Sequence, residues 1–135
     1  MKKTKLLYYL DDDSDDLIFF KNAAVSLNQQ VSLFSNGHDL FQSLRFTDKK
    51  PDIIFLDLHM PIMNGEEILH RIKHSDDFKD IPIVMLSTAY PKKMVHYLLD
   101  NGANYLMKKP STHKDLNAVL AEVLEIDWNK YKASA

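Results

Sequence analysis

The chain has 135 residues, of which 17 are basic and 19 are acidic, so its formal charge is −2. Because 45% of the residues are apolar and none is cysteine, the composition favours a domain with a hydrophobic core and excludes disulfides and thiolate metal sites. The basic residues are scattered, which argues against nucleic-acid binding. No apolar run reaches the roughly 18 residues of a membrane span. We therefore expect a cytoplasmic protein without membrane association.

Five short apolar runs predict five buried strands, because each has strand length and is bounded by turn or charged residues. The runs are Leu6 to Leu10, Val31 to Phe34, Ile53 to Leu58, Ile83 to Leu86 and Tyr105 to Met107. After each run, apolar residues recur at helical spacing, most regularly from Leu116 to Leu124, and predict a helix. This alternation predicts a doubly wound α/β fold, in which helices cover both faces of a mostly parallel sheet.

Residues that favour turns and helix ends support these boundaries. Ser14 is expected to cap the first helix, and Gly102 to follow the fourth helix in a left-handed conformation. No linker or repeat divides the chain. We expect one domain with a core over about residues 5–128, followed by a short frayed tail at residues 129–135.

The residues that follow the strands predict a site at one edge of the sheet, since open α/β sheets bind ligands at the carboxyl ends of their strands. Asp11 and Asp12 follow the first strand, and Asp57 ends the third. Ser87 follows the fourth strand and Lys109 the fifth. Carboxylates so close together repel, so they must hold either protons or a cation.

A hard divalent cation fits this set, because Mg²⁺ prefers oxygen ligands and is commonly held by one or two carboxylates together with a phosphate. We expect Asp12 and Asp57 to bind Mg²⁺ directly and Asp11 to act through water. The backbone carbonyl of His59 is a further candidate ligand. Lys109 should face the acids across a gap sized for one phosphoryl group, where its charge would bind a phosphoryl oxygen.

Most of these residues also have simpler interpretations. The acidic run that starts at Asp11 could be a solvated helix N-terminus, and we expect that role for Asp13, Asp15 and Asp16. Asp57 could be a paired or capping carboxylate, although an acid that ends an apolar run is costly unless it is paired or bound to a metal.

Ser87 could be an ordinary hydroxyl at a strand end, and Lys108 is expected to be a surface charge. His70 and His74 stand one helical turn apart, a spacing that can hold Zn²⁺. No third ligand lies nearby in the sequence, which favours a solvated helix face.

Four landmarks together resemble the receiver domain of two-component response regulators. They are the pair Asp11-Asp12, the Asp-x-x-Met-Pro-x-x-x-Gly run from Asp57 to Gly65, Ser87, and the pair Lys109-Pro110. The likeness covers about Lys5 to Trp128. It implies the flavodoxin-like strand order 2-1-3-4-5 and a receiver that stands alone, without a DNA-binding or enzymatic module.

The resemblance also implies a role for each site residue. Asp57 would accept a phosphoryl group from a sensor histidine kinase or a phosphotransfer protein, and Asp11 and Asp12 would bind Mg²⁺. Lys109 would contact the phosphoryl group, and Ser87 would move toward it after transfer. The protein would then switch its binding of an unidentified downstream protein, as a monomer or weak homodimer, and would not be an enzyme with a separate substrate.

Two departures from the family pattern leave alternatives open. Leu106 stands where receivers usually carry Tyr or Phe, with Tyr105 expected on the opposite face of the strand, and Thr88 stands where they carry Ala or Gly. These residues are compatible with a pseudo-receiver that binds a partner constitutively. A haloacid-dehalogenase-type phosphatase also uses an aspartate nucleophile with Mg²⁺, but that family has a second Asp where this chain has His59.

Overall fold

The computed structural model describes residues 4–60 and 63–131, in which five strands alternate with five helices. The strands are β1 (Leu6–Leu10), β2 (Gln30–Phe34), β3 (Ile53–Asp57), β4 (Ile83–Ser87) and β5 (Tyr105–Lys108). The helices are α1 (Ser14–Ser26), α2 (Gly37–Phe46), α3 (Gly65–Lys73), α4 (Lys92–Asp100) and α5 (His113–Leu124). The predicted order of elements is confirmed, and each strand boundary differs from the predicted one by at most one residue.

The five strands form one parallel sheet in the order β2-β1-β3-β4-β5. This confirms the doubly wound α/β fold. The chain moves outward from β1 to β2 and then returns past β1 to β3, so the strand order reverses between β1 and β3. Ligands bind at such a switch point in open α/β sheets. Here the switch point is bordered by Asp11, which follows β1, and by Asp57, which ends β3.

Two hydrophobic clusters cover the two faces of the sheet. Successive side chains of a strand point to opposite faces, so Tyr8 and Leu10 pack with residues of α2, α3 and α4, whereas Leu7 and Tyr9 pack with residues of α1 and α5. Every residue of β3 and β4 is buried. The central strands are therefore held from both sides, which keeps the backbone at their carboxyl ends in place.

The C-terminal end of α4 has the glycine conformation predicted from the sequence, whereas the N-cap of α1 is a different residue from the predicted one. Gly102, just beyond α4, has the left-handed φ of 98° that was expected. At α1 the N-cap is Asp13 rather than Ser14, which is the first helical residue. The Asp13 carboxylate accepts hydrogen bonds from the backbone N–H groups of Asp15, at 2.8 Å, and Asp16, at 3.3 Å. Aspartate and serine are equally good caps, and the negative charge also interacts favourably with the helix dipole.

The last described residues pack against the domain. The Tyr131 ring lies 5.9 Å from the Tyr105 ring and 5.9 Å from the Trp128 ring, measured between centroids. Residues 132–135 of the expected tail lie outside the described residues, as does Pro61 of the motif that starts at Asp57. Among the described residues, no helix has the length and apolar character needed to cross a membrane.

Gly65 allows α3 to begin directly against the end of β3. A Cβ atom at this position would lie 2.5 Å from the carbonyl oxygen of Asp57, 3.0 Å from the Cα of Leu58 and 2.9 Å from the Cε of Met85. Two of these three atoms belong to the backbone and cannot turn away. The absence of a side chain at Gly65 is therefore part of what positions Asp57.

The substitution Gly65→Ala should lower the free energy of unfolding by about 1–3 kcal/mol, because the added methyl group forces the backbone to move. Gly37→Ala is the matched control, since its Cβ would meet the flexible Met63 side chain at 3.0 Å. Urea unfolding followed by circular dichroism measures both variants. Equal stability of the two would contradict the close approach of α3 to β3.

Candidate functional site

Three acids meet at the switch point of the sheet. Asp11, Asp12 and Asp57 each offer a carboxylate oxygen, and these oxygens lie within 4.8 Å of one another. No other group of three or more potential metal ligands occurs in residues 4–60 and 63–131, so His70 and His74 do not form such a site there. Oxygen atoms are the ligands that hard divalent cations prefer. The donor set thus fits a divalent cation.

Asp11 is fully buried, and both of its carboxylate oxygens are engaged inside the protein. Oδ1 accepts a hydrogen bond from the Asp13 backbone N–H at 3.0 Å. Oδ2 accepts a short hydrogen bond from the Tyr9 hydroxyl and another from Lys109 Nζ at 3.0 Å. Burial raises the pKa of the Tyr9 hydroxyl, and the Asp11 charge raises it further, so Tyr9 stays protonated and donates. These bonds hold Asp11 in one orientation.

Asp12 differs from Asp11 because its side chain is exposed. In the described part of the chain its carboxylate makes no hydrogen bond or ion pair, so its oxygens are available to a ligand from solvent. This contrast agrees with the expectation that Asp12 contacts a cation directly while Asp11 acts at longer range. It does not test that expectation, which stays a prediction.

Lys109 has a carboxylate partner for each of its three N–H groups. Its Nζ lies 2.9 Å from Asp57 Oδ1, 3.0 Å from Asp11 Oδ2 and 3.0 Å from Asp16 Oδ2. Burial alone would lower the pKa of Lys109, but the hydrogen bonds from its ammonium group to Asp57, Asp11 and Asp16 outweigh burial and raise the pKa above its ordinary value. Lys109 is therefore a permanent positive charge among the acids.

This arrangement corrects two expectations from the sequence. Lys109 contacts Asp57 and Asp11 directly, with no gap for a phosphoryl group between them, because closely spaced carboxylates attract the nearest cation. Asp16, which was expected to be a solvated acid, is the third partner of Lys109. It lies in the first turn of α1, and only the packing of that helix brings it beside the end of β5.

Ser87 ends β4, and its side chain is buried. Its Oγ donates a hydrogen bond to the Ala89 carbonyl oxygen at 2.8 Å and accepts one from the Ala89 N–H at 3.3 Å. The hydroxyl is thus engaged by its own loop, and in the described residues it makes no hydrogen bond to the acids. The neighbouring Leu86 is paired with Asp57 across the two strands, which places Ser87 on the adjacent strand, one residue beyond that pair. Thr88 and His59 are exposed.

Tyr90, an aromatic residue beside the site, was not predicted from the sequence to have a role. The Tyr90 hydroxyl lies 2.6 Å from the Met107 carbonyl oxygen and 3.0 Å from that of Met85, so it bridges β5 and β4. Its ring belongs to the same cluster as Leu106, whereas Tyr105 packs on the opposite face of the sheet, as expected. The loop after β4 therefore supplies the aromatic ring that β5 lacks on this face.

The substitution Asp57→Asn should raise the free energy of unfolding of the metal-free protein at pH 7. Burial raises the pKa of Asp57 above its ordinary 3.8; the hydrogen bond from Lys109 only partly opposes this, and the Asp11 charge adds to the rise. The folded protein then binds the Asp57 proton more tightly than the unfolded chain does. The stabilisation from this proton is complete below the ordinary pKa and is lost as pH rises through the folded pKa.

Urea unfolding in a chelator at several pH values measures this effect, with the exposed Asp48→Asn as control. The free energy of unfolding of Asp57→Asn, relative to that of the wild type, should increase as the pH rises from acid toward neutral. A variant that is less stable than the wild type at pH 7 would show that the ion pair with Lys109 outweighs the cost of burial.

Several curated proteins are similar to this chain. It is 29% identical over 104 residues to the sensor histidine kinase TmoS of Ectopseudomonas mendocina, which covers 76% of this chain and 10% of the kinase. It is 32% identical over 82 residues to the probable methanogenesis regulatory protein FilR2 of Methanothrix harundinacea, which covers 59% of this chain and 53% of FilR2. The chain therefore spans only a part of either relative. For the rice response regulator ORR5, the identity is 27% over 117 residues and 85% of each chain is covered.

Solved structures share the fold at low sequence identity. The phosphorylated cyanobacterial phytochrome response regulator RcpA has a TM-score of 0.82 at 24% identity and covers 98% of both chains. The chemotaxis protein CheY4 of Vibrio cholerae has a TM-score of 0.79 at 21% identity and covers 90% of this chain and 99% of its own. The Mn²⁺-bound response regulator Rcp1 has a TM-score of 0.79 at 22% identity and covers 90% of this chain and 95% of its own.

The family model of the response regulator receiver domain matches residues 8–121. This range includes the three acids, Ser87 and Lys109, as well as all five strands except the first two residues of β1. An acidic cluster that can bind a divalent cation therefore lies at the switch point of a fold that both sequence and structure relate to receivers, and the chain belongs to the response regulator receiver domain family.

Proposed function

We propose that this receiver accepts a phosphoryl group on Asp57 from a sensor histidine kinase or a phosphotransfer protein, and that the modification controls its binding to a downstream protein. The observation that carries the proposal is the surrounding of Asp57. A buried carboxylate with the oxygens of Asp11 and Asp12 on one side and the Lys109 ammonium at 2.9 Å has the nucleophile, the cation ligands and the fixed positive charge that phosphoryl transfer needs.

In the proposed reaction, a carboxylate oxygen of Asp57 attacks the phosphorus atom of a phosphorylated histidine on the donor. The phosphorus–nitrogen bond breaks, its electron pair stays on the imidazole, and that nitrogen takes up a proton. The product is an acyl phosphate on Asp57. Lys109 is already within hydrogen-bond distance of the Asp57 carboxylate. Its ammonium group can therefore exchange that hydrogen bond for one to a phosphoryl oxygen and stabilise the negative charge that develops on the phosphoryl oxygen.

Mg²⁺ is the cation that we propose for the acidic site, held by Asp12 and Asp57, with Asp11 acting through water and the His59 backbone carbonyl as a further ligand. When bound there, Mg²⁺ supplies positive charge to the oxygens of the transferring group. The hydrogen bonds from the Tyr9 hydroxyl and the Asp13 backbone N–H hold Asp11 in one orientation beside this site.

Ser87 is the residue that we propose to sense the modification. The phosphoryl group brings new hydrogen-bond acceptors to Asp57, and the Ser87 hydroxyl would leave the Ala89 carbonyl, now 2.8 Å away, to donate to one of them. The loop from Ser87 to Tyr90 would then take a second arrangement. Since Tyr90 contacts the backbones of β4 and β5, we propose α4, β5 and α5 as the surface that changes and binds the downstream partner.

Incubation with a small phosphodonor such as acetyl phosphate and Mg²⁺ should add one phosphoryl group, measured by intact-mass spectrometry. Asp57→Asn should abolish the adduct, and so should removal of Mg²⁺ by a chelator. Asp48 is an exposed acid that precedes β3, whereas Asp57 ends that strand, so Asp48→Asn should react like the wild type. A stoichiometric adduct on Asp57→Asn would refute Asp57 as the acceptor.

A pseudo-receiver that binds its partner constitutively is the second candidate. Two observations favour it: Leu106 replaces the usual aromatic residue, and the Ser87 hydroxyl is already satisfied within its own loop. Membership of the receiver family, which is not an enzyme family, argues against the haloacid-dehalogenase-type phosphatase.

Beryllofluoride, which mimics an acyl phosphate, distinguishes the two candidates in an NMR titration with Mg²⁺. For a phosphorylation-controlled switch, backbone signals should shift both at the acids and between Tyr90 and Lys108. Lys109→Gln should keep the fold but weaken the distant shifts at least severalfold, because the cation that links the modified Asp57 to β5 is lost. Shifts confined to the acids, with none in α4, β5 or α5, would favour the pseudo-receiver.

A further inference from the structure

The ion pair between Asp16 and Lys109 has no role in the function proposed so far. Asp16 Oδ2 lies 3.0 Å from Lys109 Nζ, the same distance as Asp11 Oδ2. The side chain of Asp16 is 36% exposed and that of Lys109 18% exposed, so the pair lies at the border of the site rather than on the open surface. The other two partners of Lys109 belong to the acidic cluster that can bind a cation, and Asp16 does not.

We infer that Asp16 competes with the phosphoryl group for Lys109 and so limits how strongly the receiver favours its phosphorylated state. This inference rests on the proposed function of Asp57. All three N–H groups of Lys109 are engaged by carboxylates, and a phosphoryl oxygen can gain one only if a present partner gives it up.

The three partners do not compete equally once the site is loaded. A divalent cation in the cluster of Asp11, Asp12 and Asp57 balances much of the charge of Asp11 and Asp57 and weakens their attraction for the ammonium group. Asp16 lies outside that group of ligands and keeps its full charge. Asp16 therefore becomes the strongest carboxylate partner of Lys109 in the loaded site and draws the ammonium toward α1, away from a group attached to Asp57.

The substitution Asp16→Asn removes this charge with little change in shape. It should increase the affinity for beryllofluoride with Mg²⁺, and the initial rate of phosphorylation by acetyl phosphate, by about twofold to fivefold, the range expected for a partly exposed ion pair. Fluorine NMR titration measures the affinity, and intact-mass spectrometry at early times measures the rate. An unchanged or lower affinity would overturn the inference, and a lower affinity would show that Asp16 holds Lys109 in its productive position.

Asp15→Asn is the matched control for a general effect of charge. Asp15 lies in the same turn of α1, is exposed and makes no ion pair with Lys109 in the described part of the chain. Asp15→Asn removes the same charge from the same helix end but breaks no ion pair with Lys109. It should therefore change the affinity much less than Asp16→Asn does. Equal effects of the two substitutions would mean that only the overall charge matters and would overturn the inference.

Two double-mutant cycles show whether Asp16 acts through Lys109. In a Lys109→Gln background, Asp16→Asn should have no larger effect on beryllofluoride affinity than Asp15→Asn has. In metal-free protein, urea unfolding should give a coupling between positions 16 and 109 and none between 15 and 109. A gain in affinity that persists without Lys109, or the absence of any coupling between 16 and 109, would overturn the inference.

The same measurements on the wild type distinguish failure of this inference from failure of the proposed function. If the wild type neither binds beryllofluoride nor forms the adduct on Asp57, the proposed function fails and the inference fails with it. If the wild type does both and Asp16→Asn matches Asp15→Asn, only the role of Asp16 is refuted.

Discussion

The excess of negative charge at one edge of the sheet is the constraint on which the site depends. Three carboxylates, those of Asp11, Asp16 and Asp57, contact the single ammonium group of Lys109, and the carboxylate of Asp12 lies beside those of Asp11 and Asp57. One cation cannot balance four acids, so the site favours the binding of further positive charge. Burial raises the pKa of Asp57 despite the opposing hydrogen bond from Lys109, and the negative charge of Asp11 adds to the rise.

The fold supplies the rigidity that keeps these like charges together. Both faces of β3 are covered by helices, and the glycine at the start of α3 lets that helix touch the backbone that carries Asp57. The repulsion between the acids is therefore opposed by hydrophobic burial distributed over two clusters. In the loop after β4, the Ser87 hydroxyl bonds only to Ala89 of the same loop, whereas the Tyr90 hydroxyl contacts the backbones of β4 and β5.

Much of this could be predicted from the sequence because it follows from topology. Apolar runs define the strands, and the residue after each strand must lie at the carboxyl edge, which suffices to bring Asp11, Asp57 and Lys109 together. Asp16 could not be predicted in this way, because its contact depends on how α1 packs beside β5. The choice of Asp13 over Ser14 as the cap of α1 was equally hidden, since both residue types cap well and lie next to each other.

The contact between Asp11 and Lys109 spans 98 positions of the chain, and that between Asp16 and Lys109 spans 93. Closing so long a loop costs conformational entropy, and in the folded protein the pairing of β5 with β4 holds Lys109 beside the acids. All four acids therefore precede, along the chain, the one ammonium group that contacts three of them. A copy of the chain truncated before β5 would carry all four acids without Lys109, and so without the ammonium group that contacts three of them.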